Sequence, residues 1–200
     1  MLRAALTGGI ATGKSHVLER FRRRGVPCLD ADALAHGVMT AGTEATQAIA
    51  ARFGPDVVAK DGAVDRTKLG PLVFADPAAR RDLEAIVHPA VYRAITAGLR
   101  AFELTESPRI AVVDIPLLYE TGHVSDFDAV IATVCPPEVQ MARLVERGMS
   151  EAEARQRLAA QLPSAEKAAR ANYVIDTGGT FDDTDAQVQR ILETLHAKAP

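Results

Sequence analysis

Short runs of apolar residues recur along the chain and predict five buried strands. The runs show no regular alternation with polar residues, which is typical of parallel strands that are covered on both faces. The predicted strands are Leu2–Thr7, Val26–Leu29, Ile110–Ile115, Ala129–Val134 and Tyr173–Ile175.

Helical patterns lie between these runs. One is predicted over His16–Arg24, with Gly25 as its C-terminal cap, and another from Pro136 and Pro137 through Arg147. Two further helices are marked by their first turns, which pair Ser150 with Glu153 and Thr184 with Gln187. Alternating strands and helices of this kind predict a doubly wound α/β fold with a parallel sheet.

The interval 33–109 breaks that rhythm, because it contains no convincing strand. Its clearest feature is an apolar helix face that runs from Leu83 to Phe102, which Pro89 is expected to break near His88. We therefore predict a core of residues 1–32 and 110–200, with a lid at about 140–170. The helical interval 33–109 is predicted to be an inserted subdomain at the carboxyl edge of the sheet.

The composition narrows the class of protein. Of 200 residues, 48% are hydrophobic and 24% charged, which excludes a disordered chain, and the net charge of -3 gives no overall attraction to nucleic acid or anionic membranes. No segment has the length of a membrane span, and Gly8, Gly9 and Gly13 interrupt the early apolar stretch. The two cysteines, Cys28 and Cys135, are expected to be buried free thiols, which favours a cytoplasmic protein.

A glycine-rich loop after the first strand carries the chemistry. The residues from Gly8 to Ser15 satisfy the pattern G-x-x-x-x-G-K-[ST], in which backbone N–H groups surround phosphates at the start of a helix. In this pattern Lys14 reaches the β- and γ-phosphates and the Ser15 hydroxyl binds Mg²⁺. The dinucleotide pattern G-x-G-x-x-G does not fit, because Ile10 stands at its second glycine.

Acidic residues follow two other strands. Asp30 is expected to cap a helix or contact metal-bound water, and Asp32 is either a second cap or the base that accepts a proton from a substrate hydroxyl. Asp114, at the end of the third strand, matches the position that holds Mg²⁺ in phosphate-transferring enzymes. Arg143 and Arg147, one helical turn apart, are either a phosphate clamp or part of a solvated helix face.

The sequence also resembles the dephospho-CoA kinase family almost from end to end. The shared residues include Leu6 to Ile10, Gly13 to Ser15, Asp30-Ala31-Asp32, His88-Pro89 and Asp114 to Leu118. Gln140, Arg143, Arg147, Gln161 and Lys167 extend the match. Two departures stand out: Ala11 replaces a usual glycine, and Asp176-Thr177-Gly178 replaces a usual asparagine-glycine pair, which puts an adenine contact there in question.

The resemblance implies a P-loop kinase fold with a five-stranded parallel sheet, a helical CoA-binding insertion and a small lid. It implies phosphorylation of the ribose 3′-hydroxyl of dephospho-CoA by ATP with Mg²⁺, in a monomer or weak homo-oligomer. Asp32 would be the general base, and Arg143 would act from the lid. The ATP site would comprise Gly8, Gly9, Ala11, Thr12, Gly13, Lys14, Ser15, His16, Arg143 and Arg147. His88, Leu117 and Leu118 would join Asp32 at the acceptor site.

Two other functions are compatible with a phosphate-binding loop, but other features of the sequence disfavour each of them. A different small-metabolite kinase of the same fold, such as a nucleoside monophosphate or sugar kinase, is disfavoured by the long insertion and the His88-Pro89 element. A GTP-dependent switch is disfavoured because the Asn-Lys-x-Asp element that selects guanine is absent from the sequence.

Overall fold

A five-stranded sheet forms the centre of the larger part of the molecule. The computed structural model describes residues 1–105 and 108–200, so residues 106 and 107 of the predicted insertion lie outside the described residues. The strands are β1 (Leu2–Gly8), β2 (Cys28–Asp30), β3 (Ile110–Asp114), β4 (Ala129–Val134) and β5 (Tyr173–Asp176). Their order in the sheet is β2-β3-β1-β4-β5. The prediction of a five-stranded parallel sheet is confirmed, and β1 lies at its centre, paired in parallel with β3 and β4.

Nine α-helices accompany the strands within the described residues. The first five are α1 (Lys14–Arg23), α2 (Ala31–Val38), α3 (Glu44–Phe53), α4 (Arg66–Ala75) and α5 (Pro77–Thr105). The others are α6 (Pro137–Glu146), α7 (Glu151–Ala159), α8 (Ser164–Ala169) and α9 (Phe181–Lys198). None of these helices is long and apolar enough to span a membrane.

The chain divides into two compact units, which we describe separately. The sheet unit comprises residues 1–29 and 102–200, and the helical unit comprises residues 30–101. In the sheet unit, Leu6 and Ile131 from the central strands pack with Val17 and Phe21 of α1 and with Leu195 of α9, and all five side chains are completely buried. The alternation of strands and helices therefore produces a sheet covered by helices.

The helical unit has its own, smaller cluster of buried apolar residues. Ile49, Val57, Val64 and Leu69 are buried there, and partly buried apolar residues from α4 and α5 pack against them. Its helices begin with side-chain caps, such as the Asp30 carboxylate, which accepts hydrogen bonds from the N–H groups of Asp32 and Ala33. Asp30 is therefore a helix cap, one of the roles expected for it.

The prediction that Pro89 breaks a helix is wrong. Helix α5 continues from Pro77 to Thr105 with Pro89 inside it. Proline removes one backbone hydrogen bond from the interior of a helix. Here the helix buries Ala90, Val91, Ile95 and Leu99 beyond the proline, and this burial offsets the lost bond.

The start of the C-terminal helix also differs from the prediction. Its capping box is formed by Thr180 and Asp183 rather than by Thr184 and Gln187. Thr184 is buried inside the helix and donates a hydrogen bond to the carbonyl of Thr180. The bond from the Thr180 hydroxyl lowers the pKa of the Asp183 carboxyl, which strengthens the cap as an acceptor. The other predicted box, Ser150 with Glu153, is confirmed.

Both cysteines are free. Cys135 is buried, whereas Cys28 is only partly buried, so the expectation of two buried thiols holds for one of them. Burial raises the pKa of the Cys28 thiol to about 12, and it also raises the pKa of Cys135. Neither thiol is therefore ionised near neutral pH.

Candidate active site

The loop between β1 and α1 adopts a conformation that only a few residue types tolerate. Gly13 immediately precedes α1 with a φ of 81°, a left-handed conformation that suits glycine. Ala11 has a φ of 61°, which makes it the one non-glycine residue with positive φ in the described part of the chain. The departure at Ala11 therefore falls where the loop requires a left-handed backbone, at a cost of about 1–2 kcal/mol.

Threonine side chains fix the loop from inside the protein. The Thr12 side chain is 1% exposed, and its hydroxyl lies 2.8 Å from the Gly9 carbonyl and 2.7 Å from the Thr133 hydroxyl on β4. The Thr177 hydroxyl lies 2.9 Å from the Thr12 carbonyl. Because its side chain is committed to the loop, Thr12 can meet a ligand only through its backbone.

Two glutamines from distant helical segments hold the loop at Ile10. The Gln161 side chain accepts a 2.9 Å hydrogen bond from the Ile10 N–H. The Gln140 side chain donates a 2.7 Å bond to the Ile10 carbonyl, and Ser164 donates to Gln140. The segment predicted to be the lid is therefore attached to the loop on both sides of one residue. Motif spacing gave no sign of these contacts, although both glutamines belong to the family resemblance.

The Arg143 side chain forms hydrogen bonds with the loop instead of extending into solvent. Its guanidinium donates to the Ala11 carbonyl at 3.2 Å and to the Thr177 carbonyl at 2.6 Å. Arg147 is the C-terminal cap residue of α6, and it lies beside the same cleft as Arg143. Arg155, by contrast, pairs with Glu151 on an exposed helix face. The structure thus favours a site role for Arg143 and a solvated face for Arg155.

A cleft of about 1000 Å³ opens beside the loop. This volume is at the upper end of the range for small-molecule sites. Cations from Lys14, Arg143 and Arg147 line it, and Glu146 adds one carboxylate. The other lining residues are Ile10, Ala11, Thr12, Gly13, Ser15, His16, Thr177, Gly179, Thr180, Phe181 and Thr184. The cleft therefore combines the loop at the N-terminus of α1 with positive charge, which suits a polyphosphate.

One end of the cleft is aromatic. The rings of His16 and Phe181 lie 4.6 Å apart between centroids, and Phe181 is 69% exposed. Asp185 accepts a bond from His16 and pairs with Arg20, and together these interactions outweigh burial and hold the pKa of its carboxyl below the usual value. The imidazole is thereby oriented beside Phe181. The sequence reasoning did not single out Phe181 or Asp185, since neither belongs to the loop motif.

The residues after β3 differ in their exposure. Asp114 ends the strand and is 7% exposed. Leu117 is 38% exposed, whereas Leu118 is completely buried, so only the first of the two leucines offers its side chain to a ligand here. No group of three or more His, Cys, Asp or Glu side chains that could hold a metal is found in residues 1–105 and 108–200.

Asp32 lies in the first turn of α2, within the helical unit, and its side chain is exposed. The His36 Nδ1 donates a 2.6 Å hydrogen bond to the Asp32 carbonyl, and Arg66 donates to the Nε2 of the same ring. His88 lies on α5 and is half-buried. The candidate base is therefore an exposed carboxylate whose own main chain is held by a histidine.

Comparison with known proteins identifies the family. A sequence profile described as dephospho-CoA kinase matches residues 2–183. The chain belongs to the dephospho-CoA kinase family. The dephospho-CoA kinase of Anaeromyxobacter dehalogenans is 49% identical over 194 residues, which cover 95% of this chain and 90% of the relative.

Two solved structures are similar to this dephospho-CoA kinase family member over nearly their full length. A crystal structure of a Thermus thermophilus protein has a TM-score of 0.82 at 33% identity and covers 97% of each chain. The dephospho-CoA kinase of Campylobacter jejuni has a TM-score of 0.75 at 25% identity and covers 98% of each chain. The P-loop kinase fold expected from the sequence is confirmed.

Proposed function

We propose that this protein transfers the γ-phosphoryl group of ATP to the ribose 3′-hydroxyl of dephospho-CoA, giving CoA and ADP, the last step of coenzyme A synthesis. The observation that carries the proposal is a phosphate-binding loop, built from Gly8 to Ser15, beside a cationic cleft in a member of the dephospho-CoA kinase family. A phosphoryl donor fits this cleft because fixed N–H groups and cations stabilise the charge of a polyphosphate.

The donor is held by the loop and by the cations around it. The loop backbone from Ala11 to His16 holds the phosphates at the start of α1, with Gly8 and Gly9 giving the loop room to turn. Lys14 and Arg143 neutralise the phosphate charge, and Arg147 lies beside the nucleotide. In the transition state, charge builds up on the transferred group, so Lys14 and Arg143 are the catalytic cations.

The aromatic end of the cleft suits the nucleotide base. An exposed phenylalanine is costly in water, and a base that stacks on Phe181 and His16 would cover it. The Thr177 side chain is committed to the loop and to β4. Selection of adenine near Thr177 would therefore come from backbone groups in place of the usual asparagine.

The residues at the phosphate end fit Mg²⁺ by their chemistry. The Ser15 hydroxyl and the Asp114 carboxylate are hard oxygen donors, and Mg²⁺ is commonly held by one or two such groups together with phosphate oxygens. A bound Mg²⁺ neutralises charge on the β- and γ-phosphates. Ser15 and Asp114 would hold it, and the burial of Asp114 keeps that carboxylate in one position.

The acceptor is activated by Asp32. The 3′-hydroxyl oxygen forms a bond to the γ-phosphorus while its proton passes to the Asp32 carboxylate, and the bond to the β–γ bridging oxygen breaks to release ADP. His88 and Leu117 border the acceptor, and the buried Leu118 supports Leu117 from the interior without meeting the acceptor through its side chain. The helical interval 33–109 serves as the CoA-binding subdomain, and the segment 140–170 serves as the lid. The enzyme acts in the cytoplasm as a monomer or weak homo-oligomer.

A coupled ADP-release assay tests this function. The protein is incubated with ATP and Mg²⁺, with and without dephospho-CoA, and AMP, adenosine and shikimate serve as rival acceptors. We expect ADP release to be stimulated by dephospho-CoA alone, with CoA detected by mass spectrometry. Stimulation by a rival acceptor would contradict the proposal and favour a different small-metabolite kinase.

A further inference from the structure

Lys167 on α8 is a charged residue without any exposed surface. Its side chain is 0% exposed, yet its ammonium group is hydrogen-bonded on two sides. It donates to the Pro116 carbonyl at 2.7 Å and lies 2.8 Å from the Glu120 carboxylate. Burying an ammonium group is costly, and a buried ion pair seldom improves stability over apolar packing. Its presence therefore calls for a role other than core stability.

The Pro116 carbonyl joins two parts of the proposed active site. It also accepts a 3.2 Å hydrogen bond from the hydroxyl of Thr7, the residue before the first glycine of the loop. Pro116 itself follows Asp114 by two residues, and the intervening Ile115 N–H donates to the Leu6 carbonyl of β1. Lys167 thus binds the carbonyl that links two segments: the residues that follow β3, and the end of β1 before the phosphate-binding loop.

Glu120 completes this arrangement. Besides Lys167, its carboxylate accepts a 3.2 Å hydrogen bond from the N–H of Leu162. Leu162 follows Gln161, the residue that binds the Ile10 N–H. The segment from Gln161 to Lys167 therefore contacts both the phosphate-binding loop and the chain after β3.

Two charged groups, Glu120 and Lys14, act on the pKa of Lys167. Burial lowers its pKa, Glu120 raises it, Lys14 lowers it further, and the net result is a pKa below the usual lysine value. Helix α8 packs against β4 and β1. Strand β4, described throughout, has no titratable side chain, and β1 contributes Arg3, which pairs with Glu103. Glu120 is thus the group that keeps the ammonium charged.

We propose that Lys167 is a positioning residue for phosphoryl transfer: its charged ammonium, paired with Glu120, holds the Pro116 carbonyl against Thr7 and so fixes Asp114 relative to the phosphate-binding loop. This inference rests on the proposed function, because it assigns Lys167 to the geometry of the same reaction. A displacement of 1 Å between reacting groups slows a reaction by about 10²-fold. A buried charge that prevents such a displacement therefore contributes to turnover.

The first test replaces the ammonium. In Lys167→Met, the apolar chain still fills the space but donates no hydrogen bond to Pro116. We expect kcat to fall by about 10- to 100-fold, while the dissociation constant of ATP, measured by calorimetry, changes less than about threefold. The matched control is Glu166→Gln, because Glu166 is the exposed neighbour on the same helix, and it should retain the parent kcat.

The second test uses a variant that retains the shape of the site. Glu120→Gln still accepts from Leu162 and Lys167 but loses the charge that raises the pKa of Lys167. The ammonium then loses its proton at lower pH. We expect the alkaline limb of the kcat profile to move to lower pH by about one unit or more. A side chain that served packing alone would leave this limb in place.

Two results would overturn the inference. One is a folded Lys167→Met protein whose kcat stays within about threefold of the parent value. The other is an alkaline limb that does not move in Glu120→Gln, which also decides the matter if Lys167→Met fails to fold. A parent protein that makes no CoA from dephospho-CoA would refute the proposed function instead. In that case, kcat for basal ATP hydrolysis would be measured for the parent and for the same variants. We expect the same ratios of variant kcat to parent kcat.

Discussion

The sheet unit and the helical unit use their interiors differently. The sheet unit buries long apolar side chains from its central strands and from the helices beside them, such as Leu6, Ile131 and Leu195. The helical unit holds a smaller cluster of four buried apolar residues with partly buried neighbours, and it buries further apolar side chains along α5. Cores of such different extent give different local stabilities. We therefore expect the cluster around β1, the strand that leads into the phosphate-binding loop, to be the more stable of the two clusters.

The polar residues of the two units differ in the same way. In the sheet unit, Thr12, Thr177 and Lys167 are buried and bind the backbone of the loop or of the chain after β3. In the helical unit, Asp30 and Asp65 cap helices, and Asp32 is exposed. The proposed donor site is thus organised by buried side chains, whereas Asp32, the proposed base, remains accessible to a ligand.

The largest expected effect is on the donor side. Lys14→Met removes the charge that meets the β- and γ-phosphates, so kcat/KM should fall by about 10³-fold or more, and ATP binding should weaken. Steady-state kinetics and calorimetry measure the two effects. Lys60→Met, which changes an exposed lysine of the helical unit, is the control. If Lys14→Met bound ATP as tightly as the parent, the assignment of the donor site to the sheet unit would be wrong.

The difference in core size predicts a difference in stability. Leu6→Ala, in the fully buried core of the sheet unit, should lower the free energy of unfolding by about 3–4 kcal/mol. Leu69→Ala should cost about 2–3 kcal/mol, because its partly buried neighbours can relax into the space. Urea denaturation measures both values. Equal losses of unfolding free energy, with the same amides losing protection against hydrogen exchange in both variants, would show that the two cores do not differ in stability.

The acceptor side should affect turnover and leave donor binding unchanged. Asp32→Asn keeps the shape of the side chain but cannot accept the hydroxyl proton, so kcat should fall by about 10²-fold with the ATP dissociation constant little changed. Asp56→Asn, at an exposed aspartate of the same unit, should behave as the parent. Near-normal turnover in Asp32→Asn would show that Asp32 is not the base.

Ala11 should give the smallest effect. Ala11→Gly relieves the positive φ but loses a buried methyl group, which packs near Leu144 and Ala154, and gives the unfolded chain more freedom. We expect a change in unfolding free energy below about 1 kcal/mol. Ala11→Val places a β-branched residue in the same conformation and should cost more than about 1 kcal/mol. Thermal unfolding with and without ATP compares the pair, and equal stability of the two variants would refute strain at this position.

The order of elements could be predicted from sequence because the strands are apolar throughout and the phosphate-binding loop is a local motif. The ends of the predicted strands differ from the observed ones by no more than a few residues, as Leu2–Gly8 and Ala129–Val134 illustrate. The continuation of α5 through Pro89 could not be predicted, because it depends on burial beyond the proline. The cap at Thr180 was missed because an aspartate, rather than the usual glutamate or glutamine, stands three residues later.

The site itself was predictable only in part. The residues of the loop motif could be placed by spacing, since their functions are set by one short segment. The contacts that shape the loop could not, because Gln161 and Gln140 lie 151 and 130 residues from Ile10 along the chain. Phe181 gave no local signal either, and its position beside His16 emerges from the packing of α9 in the folded chain.

The bond between Gln161 and the Ile10 N–H provides a natural reporter. The acceptor of this amide proton is a side chain from a remote helical segment, so the proton is released only when that segment separates from the loop. Its exchange with deuterated solvent therefore measures how often the segment opens, and a single amide resonance would follow that opening as nucleotide is added. In this protein, one peptide group of the phosphate-binding loop thus records the motion of helices more than a hundred residues away.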